Sequence, residues 1–304
     1  MRRGRGAPGT LIRLRALVAG AILLPGIAGC AAASVGAGAR TRDMAYAWAR
    51  GDTLRYRITS ETFSSVMMVD ERKLLERRGV RFALVSTGEG RATAWIENAR
   101  LEKPGAETPV RTAGPEIVGL PLVMAVGQRG IDSVVTQEGL SQAWPDVAND
   151  IRLLLLRVPG GPLPDARTWG DGGTTELSKD TLYTEPETRR IDYRVVGQSR
   201  IGRTVVTVVD YEGTRTSELR RRGPPPPPPP GMEFFFFPSV IVSVRVNEQG
   251  RVFFDARSGR LVRHTRTVSR EISQPPYTSA EAHVVVYEYR QTLELISATA
   301  PARR

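Results

Sequence analysis

The sequence predicts a mainly β protein: a curved antiparallel sheet, or incomplete β-barrel, with one covering helix. Three observations lead there. Apolar and polar residues alternate with period two in both halves of the chain, and glycine-containing turns separate the alternating runs. In one central segment the period changes to 3.6 and then changes back. Whether the two β-rich halves are related by duplication stays open at this level.

The first element is a targeting segment. Arg2, Arg3, Arg5, Arg13 and Arg15 precede fourteen small and apolar residues, Ala16–Gly29. A helix needs roughly 20 apolar residues to cross a bilayer core. Positive charge, a short apolar run and small residues, in that order, describe a secretory signal peptide over residues 1–29. Its end, Ile27-Ala28-Gly29 before Cys30, resembles the bacterial lipobox. The resemblance implies a diacylglyceryl group on the Cys30 sulfur, cleavage before that residue and acylation of the new N-terminus. Several acyl chains hold a protein on a membrane more durably than one. Ala31 stands where retention at an inner membrane often uses Asp, so the expected location is the outer membrane, facing the periplasm. Residues 30–47 then form a lipidated tether, beginning with the small, flexible stretch "AAASVGAGARTRD".

Cleavage changes the charge argument. The whole chain carries 43 Lys and Arg against 32 Asp and Glu, a net +11; five of those cations leave with residues 1–29, so the remaining 275 residues carry +6. Basic residues there alternate with acidic ones, and the densest run is "LRRR" at 219–222. Nucleic acid is not an expected partner; slight attraction to anionic lipid headgroups is. Cys30 is the chain's one cysteine. Once it is acylated no disulfide can form, and stability must come from an apolar core.

The strands follow in order. In "DTLRYRITSE", Leu54, Tyr56 and Ile58 take one face and Arg55, Arg57 and Thr59 the other. "TFSSVMMVD" is expected to return beside it. "GVRFALVST" and "RATAWIENA" pair across Gly88-Glu89-Gly90. In the second half "RRIDYRVVGQSRIGRTVVTVVDYEG" reads as two strands around residues 197–202. "SVIVSVRV", "GRVFFDA" and "GRLVRHTRTVSRE" read as a meander, with "DARSG" turning between the last two. "AHVVVYEYRQTLELIS" closes the sheet. No crossover helices are available for parallel winding.

Between the halves, Val147, Ile151, Leu154 and Leu155 can form one stripe of a helix near 146–157, which Pro159-Gly160-Gly161 ends. That helix either covers a sheet face or acts as a lid over an apolar cavity. The division is practical: residues 48–155 and 156–297, with a flexible tail at 298–304. A faint echo links them, Trp48/Gly51/Asp52 with Trp169/Gly170/Asp171.

With "GDTLRYRI", the central helix, "TWGDG" and "VFFDARSGRLV", the chain resembles uncharacterised bacterial envelope lipoproteins of the LolA/LppX-like carrier superfamily. The resemblance implies an incomplete barrel with helical covering, an apolar interior and the handling of lipidated molecules, over residues 46–297. It transfers no ligand residue.

No catalytic residue, metal site or cofactor is indicated. His264 and His283 are the chain's two histidines and lie in no metal-binding spacing. No nucleophile elbow surrounds Ser64 or Ser65, and no phosphate-binding loop or dinucleotide fingerprint occurs. Asp255 is expected to order its turn by side-chain hydrogen bonding. Residues 223–240, "GPPPPPPPGMEFFFFPSV", read as an insertion between strands, since proline has no donor for a sheet. Phe234, Phe235, Phe236 and Phe237 either pack on the core or form a contact patch for lipid, ligand or partner.

The functional expectation is an anchored envelope protein that binds an apolar or lipidated molecule. Val147, Ile151 and Leu154 would face Tyr56 and Ile58 across the ligand. The alternative is a non-catalytic structural or assembly lipoprotein with an envelope protein as partner. The anchor is directly testable. Intact-mass measurement of membrane-extracted protein should show loss of residues 1–29 and added acyl mass on Cys30, and Cys30→Ala should abolish both. An unmodified Cys30 in native protein removes the anchor from the account.

Overall fold

The computed structural model describes residues 43–66, 69–88, 90–112, 114, 117–135, 151, 157–176, 183–221, 240–274 and 283–299. The chain divides into two compact units, Met1–Ala33 and Ser34–Arg304, and the described residues all belong to the second. Cys30, the expected contact patch Phe234–Phe237 and most of the expected covering helix, with Val147 and Leu154, lie outside the described residues.

Every strand pairing among the described residues is antiparallel. The first meander comprises β1 (Thr53–Val66), β2 (Val69–Gly88), β3 (Arg91–Glu102), β4 (Val110–Thr112), β5 (Pro121–Gly127) and β6 (Gly130–Val135). The second comprises β7 (Thr168–Glu176), β8 (Tyr183–Thr184), β9 (Pro186–Ile201), β10 (Thr204–Arg221), β11 (Val240–Asp255), β12 (Arg260–Gln274) and β13 (His283–Thr299). They join in one open 13-stranded sheet, ordered β6-β5-β3-β2-β1-β13-β12-β11-β10-β9-β7, with β4 beside β3 and β8 beside β10. The first meander grows outward from β1 and the second grows inward to β13, so β1 and β13 meet in the middle.

Two strands run through places where the sequence reads as a break. "TFSSVMMVD" is not a return strand: β1 continues to Val66, and β2 begins at Val69 and spans 20 residues. "SVIVSVRV" and "GRVFFDA" are one 16-residue strand, β11, passing straight through Asn247-Glu248-Gln249-Gly250. Gly250 needs no turn there. Its empty Cβ position is taken by the Tyr211 ring, whose Cε1 lies 2.5 Å from where a Cβ would stand. The "DARSG" turn matches expectation: Asp255 Oδ1 accepts from Arg257 N at 2.9 Å, and Ser258 Oγ donates to Oδ2 at 2.6 Å.

The N-terminal strap, residues 43–50, shows how strongly the sheet is rolled. In a flat sheet β5 and β12, five strand spacings apart, would be separated by roughly 24 Å. Tyr46 N donates to Gln128 O, in the β5–β6 turn, at 2.8 Å; the next amide, Ala47 N, donates to Gly259 O, in the β11–β12 turn, at 3.0 Å. Neighbouring amides bridge only groups within about 10 Å of each other. The sheet therefore curls until these two turns nearly meet. Gly161 and Met44 bond each other's chain segment at the same end, and Trp48 Nε1 donates to Gly127 O at 2.8 Å. Asp52, 6% exposed, accepts from Arg260 at 2.9 Å and ties the start of β1 to the start of β12.

The inner face holds the core: Met44, Tyr46, Leu54, Tyr56, Ile58, Phe82, Leu122, Phe254 and Leu293 belong to one buried cluster drawn from both meanders. On the other face, arginines and carboxylates pair across strands, as in Arg57–Glu294 (2.7 Å), Arg263–Glu294 (2.8 Å), Arg77–Glu61 (3.0 Å) and Arg251–Asp210 (2.6 Å). The Arg57 hydrogen bond, with Arg263 adding charge, holds the Glu294 carboxyl below its ordinary range. Exposed pairs of this kind contribute little stability each. They make these strands a water-facing surface, unlike the apolar band that a membrane-spanning barrel shows to lipid.

Gly259 tests the strap. Its φ is +62°, and a Cβ there would stand 2.5 Å from Ala47 N. Gly259→Ala should lose about 2–3 kcal/mol in urea unfolding, while Gly79→Ala, in a strand, should stay within about 0.5 kcal/mol. A Cβ at Gly79 meets nothing within 4 Å. Equal effects would remove the strap as the curling element.

Candidate functional site

Above the apolar base, one lateral row crosses the inner face in register: Arg78, Ser60, Gln291, Arg266, Gly250, Tyr211, Tyr193 and Trp169, on β2, β1, β13, β12, β11, β10, β9 and β7. The row beneath it reads Val80, Ile58, Leu293, His264, Val252, Val209 and Val195. The row above reads Glu76, Thr62, Tyr289, Val268, Glu248, Gly213, Ile191 and Asp171. A strand's period of two places each of these residues on the same face as its neighbours two positions away.

The middle row is a connected polar layer. Arg266 donates through Nε (2.9 Å) and Nη2 (2.5 Å) to Glu248 Oε2, and through Nη1 to Gln291 Oε1 at 3.4 Å. Gln291 Nε2 then donates to Ser60 Oγ at 3.4 Å. The ion pair is deeply buried, with side chains 7% and 10% exposed. Arg78 pairs with Glu76 at 2.6 Å on the first-meander side. Tyr211 reaches across Gly250 to place its hydroxyl 2.8 Å from Nε2 of His264, which is fully buried. A side chain at residue 250 would block that reach.

The row ends in aromatic rings. Trp169 stacks on Tyr193 with centroids 5.1 Å apart and planes 13° apart, and Tyr193 leans on Tyr211 at 5.6 Å. The Trp169 Nε1 is buried without a hydrogen-bond partner. Burial pushes the phenols of Tyr193 and Tyr211 well above their ordinary value, so both stay neutral hydrogen-bonding groups across the physiological range. The layer thus offers flat apolar surface, neutral polar groups and a compensated ion pair. That chemistry suits holding a molecule. Among the described residues no group of three or more His, Cys, Asp and Glu could hold a metal ion.

Tyr56 and Ile58 lie below this layer, 1% and 0% exposed. Tyr56 stacks on Phe82 at 5.5 Å and donates to Leu261 O at 3.1 Å. Ile151 is helical and 1% exposed in the same cluster. The three are core residues at the closed end of the roll, where neighbours already fill their surroundings. Sequence reasoning missed Tyr193, Tyr211, His264, Arg266, Glu248 and Gln291. The alternation in "RHTRTVSR" does put His264, Arg266, Val268 and Arg270 on one face. Nothing in it says that this face is the inner one.

No family model matches the sequence, and no curated protein does. Among solved structures, a lipovitellin described by its lipid–protein interactions aligns with 85% of this chain at 14% identity and a TM-score of 0.47. The chain spans about a quarter of that protein's length, 26%. The Vibrio cholerae outer membrane protein OmpT in its trimer form aligns with 81% of this chain and 99% of its own, at 9% identity and a TM-score of 0.23. Pseudomonas aeruginosa OccK5 aligns with 83% of this chain and 99% of its own, at 6% identity and a TM-score of 0.21.

The buried ion pair sets a measurable condition on the layer. Arg266→Met alone strands the Glu248 carboxylate and should cost about 3–5 kcal/mol. Arg266→Met with Glu248→Leu should be at least about 2 kcal/mol more stable than that single variant. Additive losses in urea unfolding would mean that the two side chains do not depend on each other.

Proposed function

We propose that this chain is a lipid-anchored protein of a bacterial cell envelope that holds an apolar or lipidated molecule against the inner face of its rolled sheet. The carrying observation is that β11, β12 and β13 continue well past the polar layer and place a cluster of apolar side chains on the inner face there. Val244, Ile272, Val285, Tyr287 and Tyr289 are half-buried there, on neighbouring strands. Below the layer the interior is packed with fully buried side chains, so the place for a ligand is above it. The signal segment and the lipobox-like residues before Cys30 support the anchor. An incomplete barrel with an apolar interior is also what the resemblance to LolA/LppX-like carriers implies.

The test is extraction of native protein in mild detergent, followed by mass spectrometry of what comes with it. An apolar molecule should copurify in near-stoichiometric amount. In Val244→Asn/Ile272→Asn, two polar groups would face that molecule, and its amount should fall about tenfold. Thermal unfolding of this variant should stay close to that of the parent, because neither residue belongs to the buried cluster. Native protein that carries no apolar molecule and takes up no alkyl probe would sink the proposal.

A further inference from the structure

We infer that the molecule held on the inner face carries an anionic headgroup, bound by an arginine row formed by Arg270, Arg215 and Arg189. This rests on the proposed binding of an amphiphile. Two rows above the Arg266 layer the register reads Tyr287, Arg270, Val246, Arg215, Arg189 and Gly173, across β13, β12, β11, β10, β9 and β7. Arg215 and Arg189 are directly opposite one another. Like charges so placed destabilise a sheet unless something compensates them.

The compensation is incomplete. Glu187 lies 3.4 Å from Arg215, and Glu248 is engaged by Arg266 in the layer below. Arg189 and Arg270 make no ion pair among the described residues; of the other carboxylates on the row below, Glu76 is engaged by Arg78 and Asp171 remains. The Nε of Arg270 is buried without a hydrogen-bond partner. A buried guanidinium N–H left unmatched is costly, and a carboxylate or phosphate oxygen is the group that best satisfies it. Arg270, Arg215 and Arg189 stand in one row of the inner face, and the space over that row is where the headgroup would sit. That space is open at the β7 end, where a Cβ on Gly173 would meet nothing within 4 Å.

The surroundings define the rest of the molecule. Directly above Arg270 lies Ile272, paired in register with Val285 on β13 and Val244 on β11, and the same row continues over Arg215 and Arg189 as Ser217 and Glu187. A free anion would use the arginines and leave the apolar part of this row unused. An alkyl or acyl chain ending in phosphate or carboxylate uses both.

The experiment compares three probes on the full chain, extracted and stripped of bound lipid, at low ionic strength. They are dodecyl phosphate, dodecyl maltoside and inorganic phosphate. Dodecyl phosphate should bind at least about tenfold more tightly than dodecyl maltoside, the worth of one charge-assisted bidentate contact. It should also bind at least about a hundredfold more tightly than inorganic phosphate, because the chain buries apolar area. Arg270→Gln and Arg189→Gln should each erase most of the anionic preference and leave dodecyl maltoside binding unchanged, with Arg270→Lys retaining part of it. Because Arg270→Gln removes a half-buried guanidinium whose Nε has no hydrogen-bond partner, it should raise the Tm of the ligand-free protein by about 2–4 °C; a merely structural arginine would lower it. Equal affinity for the two dodecyl probes, or a preference that survives both Gln variants, overturns the arginine row and leaves the apolar reading standing. Equal affinity for inorganic phosphate and dodecyl phosphate overturns the amphiphile. Failure of every dodecyl probe to bind overturns the proposed function itself.

Discussion

The pairing of β1 with β13 is the constraint on which the rest of this structure depends. Every other described pairing in the sheet joins strands within one meander, with the two meanders meeting at this seam. The seam brings Thr53 opposite Thr299 and runs along the whole of β1. Closing so long a loop costs chain entropy before any contact compensates it, although the cost grows only slowly with loop length. The return is one hydrophobic cluster that neither meander could build alone. Leu54, Tyr56 and Ile58 from one side meet Leu261, Phe254 and Leu293 from the other.

The seam would give a twisted open sheet; the strap turns it into a roll. Its hydrogen bonds to the β5–β6 and β11–β12 turns hold the closed end together, and Tyr46 inserts beneath them, stacked on Trp48 and edge-on to Phe254. Rolling has two chemical consequences. It leaves one face to water, where arginines and carboxylates pair at little cost. It turns the other face inward, where polar groups need partners because water is excluded. The layer running from Arg78 to Trp169 is the answer to that second condition. Its ion pair, amide, hydroxyl and phenol–imidazole contacts bridge strands from both meanders. Glycines at 250 and 213 provide the room, since a Cβ at either would run into Tyr211 or Ile191.

The fold class and much of the strand set were legible because period-two alternation is local. Leu54, Tyr56 and Ile58 needed no tertiary information to be placed on one face, nor did Asp255 to be placed in a turn. The errors came where a local signal had a non-local cause. Asn247-Glu248-Gln249-Gly250 reads as a turn by composition, yet the missing Cβ of Gly250 serves the ring of Tyr211, on the neighbouring strand. The glycines of "TWGDGGTTE" hide an edge strand for a similar reason. A Cβ at Gly172 would stand 2.7 Å from the Arg189 carbonyl of the adjoining strand.

The candidate site was the least legible part, and the reason is geometric. By itself the sequence determined the β class, the antiparallel hairpins and which residues share a face within each strand. Alternation is set by backbone pleating, which every residue carries with it. Only the tertiary structure decided that Arg78, Ser60, Gln291, Arg266, Tyr211, Tyr193 and Trp169 form one row. Their alignment is fixed by the register of seven successive strand pairings, and a one-residue slip in any of them would send part of the row to the opposite face. Which face turns inward was likewise decided by the roll, through contacts between a strap and two turns that no local pattern connects.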